Sequence, residues 1–287
     1  MSEYKIITDS GCDLPKEMLS KLNVQTVPLF VNFRGEALED SVDEGIKEIY
    51  SGLRNGEAAT TSAVNPDRWM EKMEGVLAAG EDVLTITFSS GLSTTYQSAV
   101  IAGNELKEKY PDRKVIVVDS LCAALGQGLL IWYACQKKEA GLSIEELAAW
   151  VEENKLHLCH WVAVDDLMYL KRGGRVSAAT AVVGTMLQIK PIIHVDDEGK
   201  LISVGKARGR KASIQTLVDK AIQLGKDYDN STMFICHGDC VEDAEYLAGL
   251  VKEKCAVKDV FIGYIGAVIG AHAGPGTLAL FFMGEHR

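Results

Sequence analysis

The sequence predicts an α/β protein: a three-layer α/β/α domain with a parallel sheet, followed by a second α/β domain with a mixed sheet. Three observations carry this. In the first half, short apolar runs alternate with helix-like segments, which implies parallel strands joined by right-handed helical crossovers. In the second half, Asp196-Asp197-Glu198-Gly199 stands between two apolar runs as a hairpin turn, so antiparallel pairing enters. The chain has 287 residues, about twice the commonest domain size, which fits two moderate domains. The division is expected near residue 160, giving domains 1–160 and 161–287.

First-half strands are expected at 4–8, 24–31, 83–88 and 115–118. Three helix starts are marked by caps. Ser41 with Glu44 reads as a capping box opening 42–53, and Ser143 with Glu146 as another opening 144–154. Asn65 followed by Pro66 reads as the cap and first residue of a helix over 66–79. A further helix follows Ser93 and runs to about Lys109, and the Ala- and Gly-rich positions near 121–134 either leave room for a bound molecule or serve tight helix packing. In the second half, strands are expected at 191–195, 201–205, 233–236, 260–265 and 277–282, with helices near 210–225 and 240–254.

Residues 260–283 contain no Asp, Glu, Lys or Arg and are long enough to span a bilayer. Gly263, Gly266, Gly270, Gly274 and Gly276, with Pro275, interrupt them, so the stretch reads as strand, glycine-rich turn and strand. No stable membrane insertion is expected. Thirty basic against 40 acidic residues give a net charge of -10, which disfavours nucleic acid and anionic membranes as partners. The seven cysteines are odd in number and scattered through apolar segments, as free thiols of a reducing compartment are. The N-terminus runs directly into a strand pattern without a signal-peptide profile, so the cytoplasm is the expected location.

Three first-half strands end in similar chemistry: Thr8-Asp9-Ser10, Ser89-Ser90 and Asp119-Ser120. In a parallel sheet these ends share one edge, where ligands of open α/β sheets bind. Each residue taken singly is equally explained as a helix cap. Ser89-Ser90-Gly91-Leu92-Ser93-Thr94-Thr95 places hydroxyls and a glycine at a helix start, a natural oxyanion site, and Thr60-Thr61-Ser62 offers a second cluster ahead of Asn65. Neither cluster contains Lys or Arg and no phosphate-loop motif occurs, so the neutral donors suit a carboxyl group better than a phosphate. His272, flanked by Gly270 and Gly274, is a candidate donor presented by a turn; a histidine satisfied by local backbone is the alternative.

Lys171-Arg172-Gly173-Gly174-Arg175 follows a short helix and is accounted for by helix-end charge. Lys206-Ala207-Arg208-Gly209-Arg210-Lys211 has no evident internal need, which leaves a solvated surface or a docking face for an acidic partner. No metal site is expected: Cys236-His237-Gly238-Asp239-Cys240 and His157-Leu158-Cys159-His160 lack paired C-x-x-C spacing. A serine hydrolase (esterase- or lipase-like) is the alternative activity, because Ser93, Asp119 and His272 occur in the chain order of an α/β-hydrolase triad. The nucleophile elbow is wrong, however, with Thr95 where its second glycine belongs.

Taken with Tyr169 to Arg175, Lys190-Pro191 and His272-Ala273-Gly274-Pro275-Gly276, the Thr8-Asp9-Ser10, Thr61-Ser62, Ser89 to Ser93 and Val118-Asp119-Ser120 motifs resemble the DegV family in content and order. The resemblance implies a bacterial two-domain protein with a lipid tunnel between the domains. Such proteins bind a long-chain fatty acid as their only ligand, without a cofactor, and are not themselves enzymes. They present the acyl carboxylate to a separate fatty acid kinase, which makes the acyl-phosphate used in phospholipid metabolism. By matching position, Thr61, Ser62, Ser93 and His272 hold the carboxyl group, and Asp9, Ser10, Ser90, Thr94 and Asp119 stand behind them. Arg172 and Arg208 fall on the kinase-docking face. Thr94 replaces a glycine common in the family and Ala273 a threonine, so an altered pocket shape is expected.

Overall fold

The computed structural model describes residues 3–176 and 188–287. From the N-terminus, β1 (Tyr4–Asp9), α1 (Lys16–Lys21) and β2 (Val24–Val27) lead into β3 (Phe30–Phe33), β4 (Glu36–Glu39), α2 (Ile46–Arg54) and β5 (Ala59–Ser62). There follow α3 (Pro66–Ala78), β6 (Asp82–Thr87), α4 (Thr95–Lys109), β7 (Val115–Asp119), α5 (Ala124–Glu139) and α6 (Ile144–Asn154). The second half comprises β8 (Leu158–Ala163), α7 (Leu167–Arg172), β9 (Ile189–Val195), β10 (Leu201–Arg208) and α8 (Arg210–Gly225). It ends with β11 (Thr232–His237), α9 (Val241–Lys254), β12 (Asp259–Tyr264), α10 (Ala267–Ala273) and β13 (Leu278–Met283).

The first sheet is all parallel, in the order β2-β1-β6-β7. Alternation along its strands builds two cores: Ile7, Val83 and Val115 pack with Trp69 and Met73 of α3 and Leu106 of α4, whereas Ile6, Leu84 and Ile86 pack with Leu125 and Leu129 of α5 and Leu147 of α6. The expected three layers result. The six-stranded sheet has the order β10-β9-β8-β13-β11-β12 and is mixed, β11 and β12 pairing in parallel and the rest antiparallel. Its outer face carries α8 and α9. Its inner face sends Phe234, Cys236 and Phe281 into the same core as α5.

Helix α5 is therefore a layer common to both sheets. Its glycines serve close approach: a Cβ on Gly126 would stand 2.2 Å from Nε2 of His160, and one on Gly128 would stand 2.7 Å from the Cys12 carbonyl oxygen. We propose that the division into domains falls near residue 160, where β8 opens the mixed sheet.

Two of the expected caps form as read. Asn65 accepts from the Arg68 amide at 2.9 Å, and Ser143 and Glu146 form a reciprocal capping box. The box at Ser41 does not open a helix. Ser41 accepts the amides of Asp43 and Glu44, but Gly45 takes a left-handed φ of 68° and α2 starts only at Ile46. The strand expected over 24–31 is two strands in two sheets, β2 and β3. Thr61 and Ser62, expected only as a cluster ahead of α3, lie on β5, a strand of a small antiparallel sheet with the order β4-β3-β5.

The largest departure concerns residues 260–283, where the expected glycine turn is the helix α10. Its glycines are places of contact. A Cβ on Gly270 would meet the Tyr50 hydroxyl at 2.6 Å, and the helix ends at Gly274 with φ 82°. Among the described residues no helix is long and apolar enough to cross a membrane. All seven cysteines are free, five of them buried.

Candidate functional site

A cavity of about 450 Å³ opens among the carboxyl ends of the parallel sheet, α10 and the inner face of the mixed sheet. Its walls are mainly apolar, with Phe88, Leu92, Val162, Ile193, Ile269 and Phe281 among them. At one end Thr61, Ser62, Ser93, Thr94, Arg175 and His272 come together. Ser62 and Thr94 are exposed there, so the polar end meets solvent. An apolar chamber with a few convergent polar groups at one end takes a ligand with an apolar body and a polar head.

Each polar side chain is placed by a definite element. Register on the small sheet pairs Thr61 of β5 with Val31 of β3. The Thr61 hydroxyl lies 2.7 Å from Nε2 of His272, which is carried by the last turn of α10. Burial, aided by the nearby Arg175 cation, lowers the His272 pKa to about 4, so the ring is neutral at neutral pH. Among the described residues Nδ1 is buried without a hydrogen-bond partner, and it lies against Gly173, where a Cβ would stand 2.0 Å away. Nδ1 therefore suits the bare acceptor and Nε2 the donor, because an N–H buried without an acceptor is costly. Thr61 then accepts from His272 and keeps its own O–H to give.

Ser93 closes a turn at the start of α4. Its Oγ accepts the Thr95 amide at 3.2 Å and lies 2.8 Å from the Thr95 hydroxyl. Thr94 is the residue before α4 and makes no side-chain cap bond. The helix presents its positive dipole end beside these hydroxyls.

The strand-end residues separate into two groups. Ser90 and Thr94 line the cavity, whereas Asp9, Ser10 and Asp119 brace the loops around it. Asp9 accepts the amides of Phe88 at 2.7 Å and Gly11 at 3.0 Å. Burial outweighs these bonds and raises the Asp9 pKa to about 7. Asp119 accepts the amides of Ser90 and Leu121, both at 3.1 Å. Ser10 donates to Asp40 at 2.8 Å. The hydrolase triad is not assembled: Ser93 bonds to Thr95, His272 to Thr61, and Asp119 to backbone amides.

Arg175 was hidden inside the first basic cluster. It is no partner for the α7 dipole, because α7 ends at Arg172 and Gly174 turns the chain with φ 72°. Arg175 instead lines the cavity and donates from Nε to the Leu92 carbonyl at 3.2 Å. Burial lowers its pKa. The polar end thus holds a cation as well as neutral donors, contrary to the expectation from the hydroxyl clusters alone. The signal was positional: a cation after two glycines, beyond the helix it was assigned to.

The second basic cluster also divides. Arg210 has an internal role, bonding Asp243 at 2.8 Å and lying 3.6 Å from Asp165. Lys206, Arg208 and Lys211 are exposed and make no ion pair among the described residues. A bulge between Ser203 and Gly205 shifts the β10 register, so that Lys206 pairs with Pro191 and Arg208 with Ile189. Paired residues share a face, which puts these two cations on the sheet face of Ile193, a cavity residue. Arg172 is exposed, its guanidinium 4.6 Å from the centre of the Tyr169 ring.

His160 also lines the cavity, but both its nitrogens are occupied: Nε2 accepts the Ala123 amide at 3.2 Å and Nδ1 lies 2.9 Å from the Leu158 carbonyl. His237 accepts the Cys240 amide, and Asp239 pairs with Arg54. Among the described residues no group of three or more His, Cys, Asp or Glu could hold a metal.

Fold and cavity define a class: an α/β protein with a parallel and a mixed sheet and a chamber shaped for an amphiphile. Residues 3–285 match the family described as "Uncharacterised protein, DegV family". A DegV domain-containing protein of Clostridium perfringens is 46% identical over 100% of this chain and 99% of its own length. The chain belongs to the DegV family. Among solved structures, a fatty acid-binding DegV family protein from Thermus thermophilus superposes with a TM-score of 0.88 at 31% identity, covering 99% of this chain and 100% of that one. A stearic acid-binding protein from Eubacterium ventriosum does so with a TM-score of 0.88 at 27% identity, covering 98% of each chain.

Proposed function

We propose that the protein binds a long-chain fatty acid, with the acyl chain in the apolar cavity and the carboxyl group at its polar end. The observation that carries this is the cavity itself, in which Thr61, Ser62, Ser93 and His272, distant in sequence, line one end of an otherwise mainly apolar chamber. Two relatives described as binding fatty acids have the same fold. Burying about a dozen methylenes at roughly 0.8 kcal/mol each contributes on the order of 10 kcal/mol before association costs. The tail therefore supplies most of the affinity. The head-group contacts fix orientation, because a buried carboxyl must find partners.

In this reading Thr61 donates to the carboxyl while His272 donates to Thr61, Ser93 and Ser62 add hydroxyls, and Arg175 supplies positive charge. The protein acts as a carrier that performs no chemistry and offers the carboxyl to a fatty acid kinase, which docks on the face bearing Arg172 and Arg208. Denaturing release from the purified protein followed by lipid mass spectrometry tests the ligand. Near one fatty acid per chain is expected; protein that is clean and also takes up no added fatty acid would defeat the proposal. Stoichiometric labelling of Ser93 by a fluorophosphonate would instead favour a hydrolase.

A further inference from the structure

Behind the polar end of the cavity, two carboxylates converge on the start of α10. Asp13 is 1% exposed and Asp40 7%. The point where a Gly266 Cβ would stand is 2.5 Å from Oδ1 of Asp13 and 3.1 Å from Oδ1 of Asp40, so glycine alone leaves room for both. Asp40 has good partners. It accepts the Val268 amide in the first turn of α10 at 2.9 Å and the Ser10 hydroxyl at 2.8 Å. Asp13 has none: no bond of good geometry reaches either oxygen, and only the Gly266 backbone favours its charged form.

Among the described residues the surroundings of Asp13 offer no countercharge. Asp13 faces Asp9 and Asp40, together with Cys12, Tyr50 of α2 and Cys236 of β11, all acidic or neutral groups. The Tyr50 hydroxyl is already given to the Ile265 carbonyl at 3.0 Å. Asp40 borders a surface groove of about 740 Å³ that also carries Lys16, Glu39, Arg68, Glu71, Lys72 and Glu81. Lys16 is paired with Glu44 and Arg68 with Glu39, and neither these nor Lys72 is among the groups that shift Asp40. Two buried carboxylates this close cannot both ionise without a cation between them. Burial is the main cause raising both, Asp40 to about 6 and Asp13 well above the ordinary range, with mutual repulsion adding to Asp13.

We propose that Asp13 and Asp40 hold one proton between them and, by anchoring the first turn of α10, position His272 at the far end of that helix. Asp40 meets the groove while Asp13 is sealed, so the pair exchanges its proton with solvent by way of the groove. Loss of the shared proton sets the two carboxylates against each other; their repulsion strains the Asp40 anchor of α10, and His272 and the Leu29 wall move with it. The Leu29 amide bonds the same Ser10 hydroxyl at 3.0 Å and its carbonyl accepts the Asp40 amide at 2.9 Å. The effect on ligand rests on the fatty-acid reading above, whereas the shared proton does not.

The test measures binding of cis-parinaric acid to the full chain, from about pH 6 to about pH 9, for the wild type and for Asp13→Asn. Once the proton leaves, wild-type affinity should fall by up to about tenfold per pH unit. Asp13→Asn keeps the shape of the protonated acid and cannot ionise, so its profile should be flatter. The ionisation of the lipid is common to both proteins. Identical profiles would overturn the proposal; if Asp13→Asn does not fold, Asp40→Asn, which removes the charge that repels the Asp13 carboxylate, should move the fall in affinity to lower pH, and an unmoved fall would overturn it equally. Infrared spectroscopy of ligand-free protein at neutral pH should show the carbonyl stretch of protonated carboxylic acid, weaker in Asp13→Asn, where Asp9 alone still contributes to it. A band no stronger in the wild type than in Asp13→Asn, or one bound metal ion per chain that Asp13→Asn loses, would sink the idea whether or not the protein binds fatty acid.

Discussion

Thr61 and His272 stand 211 residues apart in the chain and meet at 2.7 Å. One comes from a four-residue strand of a small sheet and the other from the last turn of a seven-residue helix. A contact built from such short elements is fixed by what surrounds them. If the two act as a unit on the carboxyl group, their substitutions will not add. Thr61→Val and His272→Ala should each weaken fatty-acid binding by about 1–2 kcal/mol, with a double mutant costing less than the sum. Ser93→Ala should lose a similar amount separately. Displacement titration with a fluorescent fatty acid measures all four proteins, and unchanged affinity in Ser93→Ala and His272→Ala would remove the site assignment.

The depressed pKa of His272 predicts a pH effect on stability. Its folded value of about 4 lies below the ordinary 6.5, with burial as the main cause. Below pH 6.5 the unfolded chain takes up a proton that the folded ring refuses. The stability it contributes is therefore present above about pH 6.5 and lost as pH falls towards about 4, by up to about 1.4 kcal/mol per unit. Asp9 and Asp40, raised to about 7 and about 6, act in the opposite sense, their contribution being lost as pH rises. The difference between wild type and His272→Gln isolates the histidine. In urea melts at about pH 7 and about pH 4.5, the variant should lose less stability on acidification.

Much of this architecture was legible because its signals are local. Period-two alternation at Ile6 and Ile7, the Asn65-Pro66 cap and the Ser143–Glu146 box each declare an element within a few residues. Thr61, Ser62, Ser93 and His272 were also expected together, and they line one cavity. The misses depend on what lies across the fold. Gly266 and Gly270 read as helix breakers, yet they face Asp13 and Tyr50 from elements hundreds of residues earlier. A four-residue strand, Ala59–Ser62, has too little apolar pattern to stand out from a loop. The bulge that turns Arg208 towards the cavity face exists only in the pairing of β10 with β9.

Gly173 is predicted to matter for binding although it has no side chain. A Cβ there would stand 2.0 Å from Nδ1 of His272, while its φ of -74° is ordinary for alanine. The substitution therefore acts through steric displacement of the imidazole, without backbone strain. Gly173→Ala should reduce fatty-acid affinity about as much as His272→Ala, and the two changes combined should cost little more than either. Overpacking of this kind costs about 1–3 kcal/mol where neighbours cannot shift. Full affinity in Gly173→Ala would show that the ring moves freely and that its position is not critical.

If the protein serves a kinase as proposed, Arg208 allows that role to be separated from ligand binding. It is exposed, unpaired among the described residues, and placed on the cavity face of β10 by the bulge. Its removal should change fatty-acid affinity by no more than about 0.5 kcal/mol, as surface substitutions away from a site do. Coupling to the kinase is different, because a cation on a docking rim acts mainly on the rate of encounter and is screened by salt. Arg208→Ala should slow kinase-dependent formation of acyl-phosphate at low ionic strength, and the gap from wild type should narrow as salt is added. If the variant couples normally at every ionic strength, the cluster around Arg208 is a solvated surface and the kinase docks elsewhere.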